Sequence, residues 1–146
     1  MPLESIEHSS LVTKGEKYIR YTYAEISQLD TDSFSTLGTG RLLPLLQYQP
    51  DIVAKLVDGR VIIGEAKTTG DILKTRSKKQ YEEFLEHLSY QSPKGIFLLF
   101  CSWKVATSAQ DWFRNHFRKY SELNVYWKVV SDVDIMRMFK WHNALG

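Results

Sequence analysis

Three residues near the middle of the chain, Asp51, Glu65 and Lys67, have types and spacing that could do chemistry. Glu65 and Lys67 stand two apart at the end of the apolar run Val61-Ile62-Ile63-Gly64, so in a strand they point to the same face. Asp51 directly follows Pro50 and opens the preceding apolar run, and Asp58-Gly59 between the two runs is a hairpin turn signal. Counted out from that turn, Glu65 lies six residues beyond Gly59 and Asp51 seven before Asp58. The two carboxylates are therefore near neighbours across an antiparallel ladder, with a twist or bulge expected to absorb the odd residue. Like charges held close in apolar surroundings raise one carboxyl pKa or recruit a cation. A few oxygen ligands completed by water suit Mg²⁺ or Mn²⁺ rather than Zn²⁺. With a lysine beside them to position or deprotonate a water, these groups suit metal-assisted hydrolysis of a phosphodiester.

The elements that must hold these residues follow from pattern. Residues 3–29 read as one helix, because Leu11, Val12, Gly15, Tyr18, Ile19, Thr22, Tyr23, Ile26 and Leu29 fall on one face at helical spacing, with Gly15 as a point where it should weaken or bend. Asp30 to Gly40 reads as a polar loop and Arg41 to Tyr48 as an apolar-rich run. Asp51–Val57 and Arg60–Lys67 are the hairpin strands, joined by a two-residue turn at Asp58-Gly59 with both residues at positive φ. A helix is predicted over Thr75–Tyr90, a strand over Ile96–Cys101, a helix over Ser108–Tyr120, a strand over Val125–Val130 and a closing helix over Asp132–His142. Residues 1–146 carry no repeat, linker or low-complexity tract, so a single mixed α/β domain is expected.

Composition narrows the alternatives. A chain of 146 residues, 43% hydrophobic and 25% charged, has the profile of one globular domain rather than a disordered or fibrous chain. Its net charge of +2 announces no polybasic partner. Cys101 is the sole cysteine and closes the apolar run that starts at Ile96, which excludes an intrachain disulfide and reads as a small core residue. Without an apolar leader or a run of about 20 apolar residues, a soluble, cytoplasmic protein with no membrane partner is expected. Trp112, Phe113 and Phe117 recur at helical spacing and read as core, while His87, His116 and His142 lack metal-ligand spacing.

Pro50-Asp51, thirteen further residues and then Glu65-Ala66-Lys67 resemble the signature of the PD-(D/E)XK nuclease superfamily. The continuation Thr68-Thr69-Gly70-Asp71, followed by Ser77-Lys78-Lys79-Gln80-Tyr81, is similar to its VRR-Nuc and Holliday-junction-resolvase-like branches, over roughly residues 48–101. The resemblance implies a restriction-endonuclease-like α-β-β-β-α-β core, a mixed sheet flanked by helices. It also implies that Asp51, Glu65 and the backbone carbonyl of Ala66 hold the metal, that Lys67 serves the attacking water, and that Gln80 supports the site from the following helix. A first-helix ligand is common in the superfamily. Glu7 or His8 is the candidate here, because His8 falls near the middle of the helix's apolar face, with Glu16 and Glu25 as runners-up.

Charge is concentrated just after the motif, where Lys67, Lys74, Arg76, Lys78 and Lys79 face only Asp71. Such a stretch beside a metal site would contact DNA phosphates. Cations near a helix N-terminus also oppose its dipole, which favours a functional origin for Lys78 and Lys79. The expectation is a metal-dependent deoxyribonuclease, structure-selective or weakly specific, leaving 5′-phosphate ends as the resemblance implies. A homodimer would supply two cuts. The alternatives are a nuclease subunit of a larger restriction, transposition or defence complex, and a non-catalytic nucleic-acid-binding module on the same fold.

Overall fold

The computed structural model describes residues 5–31 and 46–145, with side chains described through residue 140. In chain order its elements are α1 (Ile6–Thr22), β1 (Ile26–Thr31), β2 (Ile52–Leu56), β3 (Val61–Ala66), α2 (Thr75–Ser89), β4 (Ile96–Cys101), α3 (Trp103–Lys119), β5 (Tyr126–Ser131) and α4 (Asp132–Leu145). The strands form one mixed sheet in the order β1-β2-β3-β4-β5. The pairs β1–β2 and β2–β3 are antiparallel, whereas β3–β4 and β4–β5 are parallel. Each parallel step is a crossover through a helix, α2 and then α3, as parallel neighbours require.

Alternation along the strands divides the core into two layers. Val61, Ile63, Phe97, Leu99 and Val129 pack against Tyr81, Phe84, Leu85 and Leu88 of α2 and Phe113 of α3. Ile62, Leu98, Phe100 and Val130 pack against Tyr18 and Ile19 of α1 and Ile135 of α4. β3 and β4 are buried along their whole lengths, which is why both read as unbroken apolar runs. Trp112 and Phe117 join the α2–α3 layer, and Cys101 is fully buried. No described helix is long and apolar enough to cross a membrane.

The first helix differs from its expected 3–29 span. It begins at Ile6, capped by the Ser5 hydroxyl accepting from the His8 amide, and ends at Thr22. Ile26 and Leu29 belong instead to edge strand β1, so Asp30 and Thr31 are strand rather than loop. The register of β1 on β2 shifts between Ile26 and Gln28. That bulge puts two residues three apart on one face, and both pack into the α1 layer. A spacing of three is therefore produced here by a bulged strand and only imitates a helix. Gly15 causes no break: α1 runs through it, and a Cβ there would lie 2.6 Å from the Phe100 ring. Its role is the close approach of helix to sheet.

The hairpin turn also departs from expectation. Leu56 pairs with Arg60, so the loop is Val57-Asp58-Gly59, and only Gly59 has positive φ, at 95°. This is a three-residue loop rather than the two-residue turn, the usual form with glycine at its left-handed last position. Helix α3 begins at Trp103, five residues before the expected start, because Ser102 caps it through the Lys104 amide. Of the run 41–48, residues 41–45, like 32–40, lie outside the described residues, and 46–48 form no strand.

Candidate active site

The turn fixes the register on which the site depends. Ile52 pairs with Gly64 and Val53 with Ile63, so one step further Asp51 stands directly opposite Glu65. Val57, taken into the loop, accounts for the odd residue in the count from the turn, and no bulge intervenes along the β2–β3 ladder. Beyond the last ladder pair, side chains take over the pairing. The Asp51 amide donates to Glu65 Oε1 at 3.3 Å, and the Ala66 amide donates to Asp51 Oδ2 at 2.8 Å.

The carboxyl groups sit in contrasting states. Glu65 is only 3% exposed. Burial, reinforced by the Asp51 charge and hydrogen bond, pushes its pKa well above the ordinary carboxylate range, with only Lys67 and the Asp51 amide opposing. Burial would raise Asp51 too, but hydrogen bonds with Glu65 and His8, the His8 charge and the Ala66 amide hold it below its usual value. The two carboxyl groups are close enough that each bears on the other's proton affinity. His8 reaches the pair from the first turns of α1, with Nε2 3.2 Å from Asp51 Oδ2. Lys67 Nζ donates to Gln80 Oε1 from α2.

These groups line a cavity of about 460 Å³ at the end of β3, whose walls include His8, Asp51, Glu65, Ala66, Lys67 and Gln80. Glu7 is turned elsewhere, accepting from both the amide and the hydroxyl of Thr69 at 3.0 Å, so it anchors the loop after β3. Glu16 pairs with Arg20 on α1 at 3.7 Å, and Glu25 lies beyond the helix, where its carbonyl accepts from the Val57 amide. Of the first-helix candidates, His8 therefore meets the carboxylates. None of Lys74, Arg76, Lys78 and Lys79 lines the cavity. Lys74 is paired with Asp71 at 2.9 Å, and the Arg76 guanidinium lies over the Tyr48 ring, 5.2 Å from its centroid.

Sequence reasoning gave no role to Ser5, Gln49, Thr68 or Asp71, which also line the cavity. Ser5 carried a usable signal as a helix-capping residue just before the apolar period. The other three were marked only by their nearness to Asp51 and Lys67 in the chain.

The donor set fits a hard divalent cation. Two carboxyl groups and the Ala66 carbonyl are all oxygen donors, and Glu65 is buried in a setting that disfavours its charge unless a cation compensates it. Among the described residues, no group of three or more His, Cys, Asp or Glu side chains is placed to hold a metal. The protein alone thus offers at most a partial shell of oxygen donors. Compared with protein-family models, curated proteins and solved structures, the chain matches none of them.

Proposed function

We propose that this protein is a metal-dependent nuclease of the PD-(D/E)XK type, on a restriction-endonuclease-like core, that hydrolyses DNA phosphodiester bonds. One observation carries the reading: Asp51 and the buried Glu65 face each other across the end of the hairpin, with Lys67 lining the same cavity. A buried like-charge pair is unfavourable for folding, and a bound cation turns that cost into an affinity.

Asp51, Glu65 and the Ala66 carbonyl would hold Mg²⁺ or Mn²⁺, which when bound supplies charge neutralisation at the scissile phosphate and acidifies a coordinated water. The chain's own groups do the rest. Gln80 holds the Lys67 ammonium through its side-chain oxygen, which fixes the cation in the cavity wall, where it would orient the attacking water and meet a phosphate oxygen. His8 fixes the Asp51 carboxylate from the other side. Glu7 holds the Thr69 loop against α1 and so shapes the rim. The first turn of α2 carries no acid and its N-cap, Lys74, makes no side-chain cap, so this end stays electropositive toward a DNA backbone. Attack opposite the 3′ oxygen would leave a 5′-phosphate and a 3′-hydroxyl.

The test is cleavage of plasmid, single-stranded and branched DNA with Mg²⁺, Mn²⁺ or EDTA, by wild type and Glu65→Gln. Cleavage that requires the metal and Glu65 supports the reading. DNA binding with no cleavage of any substrate under any metal overturns it. That outcome would favour a binding-only module, in which His8 and Gln80 merely satisfy Asp51 and Lys67.

A further inference from the structure

At the end of the sheet opposite the carboxylates, where the hairpin turns and β4 and β5 begin, lies a second cleft of about 550 Å³. Arg60, Lys94, Asn124, Tyr126 and Trp127 stand around it, and among the described residues no carboxylate lines it. Arg60 is held in place by the turn: Asp58 Oδ2 accepts from its Nε at 2.9 Å, and Asp58 Oδ1 accepts from its amide at 3.0 Å. That hold uses Nε and leaves the two terminal guanidinium nitrogens outside it, on a side chain 41% exposed. Lys94 makes no ion pair among the described residues. The residue after it, Gly95, packs tightly, since a Cβ there would lie 2.4 Å from Leu88 Cδ2 and 2.6 Å from the Val61 carbonyl oxygen.

The aromatic side of the cleft is equally well set. Tyr126 pairs with Ile96 on edge strand β5, yet it is 58% exposed. Trp127, next in the chain, is stacked on Phe113 and Phe117 at 5.4 and 5.8 Å and anchors the strand from the other face. Asn124, in the left-handed region at φ 42°, brings an amide to the rim. Two cations, one of them oriented by Asp58, call for an anion, an exposed ring lining the same cleft calls for a flat aromatic partner, and the cleft has the size of a small-molecule site. A neighbouring cavity also has exposed rings, Tyr90 and Tyr120, but Glu82, Glu86 and Glu122 surround them and would repel an anion. The cation pair therefore selects this cleft.

We propose that the cleft between Arg60, Lys94 and Tyr126 binds a phosphorylated nucleoside, with its phosphate at the two cations and its base on the tyrosine ring. The ligand is either a free nucleotide or the 5′-phosphorylated end of a strand. This site is separate from the carboxylate cavity and stands whether or not that cavity cuts DNA.

Titration calorimetry in EDTA, so that no metal occupies the carboxylates, tests it with AMP, ADP, adenosine, inorganic phosphate, and a dinucleotide with and without a 5′-phosphate. We expect a Kd below about 1 mM for AMP or ADP, with adenosine and inorganic phosphate each about tenfold weaker or more. Binding of the phosphorylated dinucleotide as tight as AMP assigns the ligand to strand ends, and binding of AMP alone assigns it to free nucleotides. Lys94→Gln should weaken binding about tenfold, as loss of a charge-assisted contact does, and Tyr126→Thr severalfold. Thr suits an exposed edge-strand position, and circular dichroism verifies the fold of both variants. Three results would overturn the proposal: no saturable binding of any probe, affinities unchanged in both variants, or binding lost in Asp51→Asn but kept in Lys94→Gln.

Discussion

The two ends of one hairpin carry the same residue types in opposite circumstances. At the turn, Asp58 lies in solvent and pairs with Arg60, and hydrogen bonds from the Arg60 amide and guanidinium, with its charge, hold the carboxyl below its ordinary pKa. At the open end, Asp51 faces Glu65, and burial together with the Asp51 charge drives Glu65 upward. Exposed ion pairs in water contribute little to stability, whereas a buried pair of like charges costs stability unless something compensates it. The position of a carboxylate along a ladder thus decides whether it is decoration or a poised site.

The largest expected contrast between the two ends is in activity. Lys67→Ala removes the cation at the open end, and the rate of metal-dependent DNA cleavage should fall by about a hundred- to a thousandfold, the range for losing one preorganised stabilising group. Asp58→Asn removes the charge at the turn and should leave the cleavage rate within about twofold, since surface changes away from a site are usually near neutral. Comparable losses in both variants, measured by gel-based nicking, would erase the distinction between the ends.

Metal binding sharpens the same contrast in stability. If Asp51 and Glu65 hold the cation, Mg²⁺ at about a hundredfold over its Kd stabilises the folded state by about 2.7 kcal/mol. The melting temperature of the wild type should therefore rise with Mg²⁺, while that of Glu65→Gln should not. A rise of equal size in both would place the cation elsewhere.

What the sequence made legible divides along the same hairpin. Asp51, Glu65 and Lys67 were readable because strand periodicity and a turn signal determine which side chains meet, and the chain folds that way locally. The odd residue in the count was not readable as a loop residue, because nothing in Val57-Asp58-Gly59 distinguishes a two-residue turn from a three-residue one before the pairing of Leu56 with Arg60 is known. Ile26 and Leu29 misled for a related reason: a bulge in β1 reproduces helical spacing, and only the pairing with β2 reveals it. Gly15 read as a weakness because its partner, the Phe100 ring, is 85 positions away in the chain. His8 and Glu7 were both plausible on the helix projection. The choice between them came from the anchor that Thr69 offers Glu7, a contact across 62 positions.

The pH dependence of stability should also differ in sign between Glu65 at the open end and Asp58 at the turn. Glu65 has a folded pKa raised above its unfolded value near 4.5. The folded state therefore binds the extra proton, and stability is highest below that value and is lost as pH rises toward the folded pKa. Asp58 and Asp51 have folded values lowered from 3.8, so their contributions are present above that value and are lost only as pH falls below it. Metal-free denaturant melts from pH 5 upward should show wild type losing stability relative to Glu65→Gln, with a slope of at most about 1.4 kcal/mol per pH unit for one proton. A constant difference across that range would mean that Glu65 ionises as freely folded as unfolded.

The smallest expected effect lies at the turn itself and concerns the loop, with its charges left in place. Gly59 adopts φ 95°, a region where a side chain meets its own backbone, and the nearest other atom to a Cβ there is Pro93 Cδ at 3.5 Å. Gly59→Ala should therefore cost about 1 kcal/mol through backbone strain alone, without a packing clash. Its ladder partners are unchanged, and the core residues of β2 and β3 hold the register that sets Asp51 against Glu65. Urea melts should show the loss in midpoint, while the cleavage rate at a temperature well below the transition stays at the wild-type value. A matching loss of activity would show that the turn, and not the buried ladder, holds the carboxylates in register.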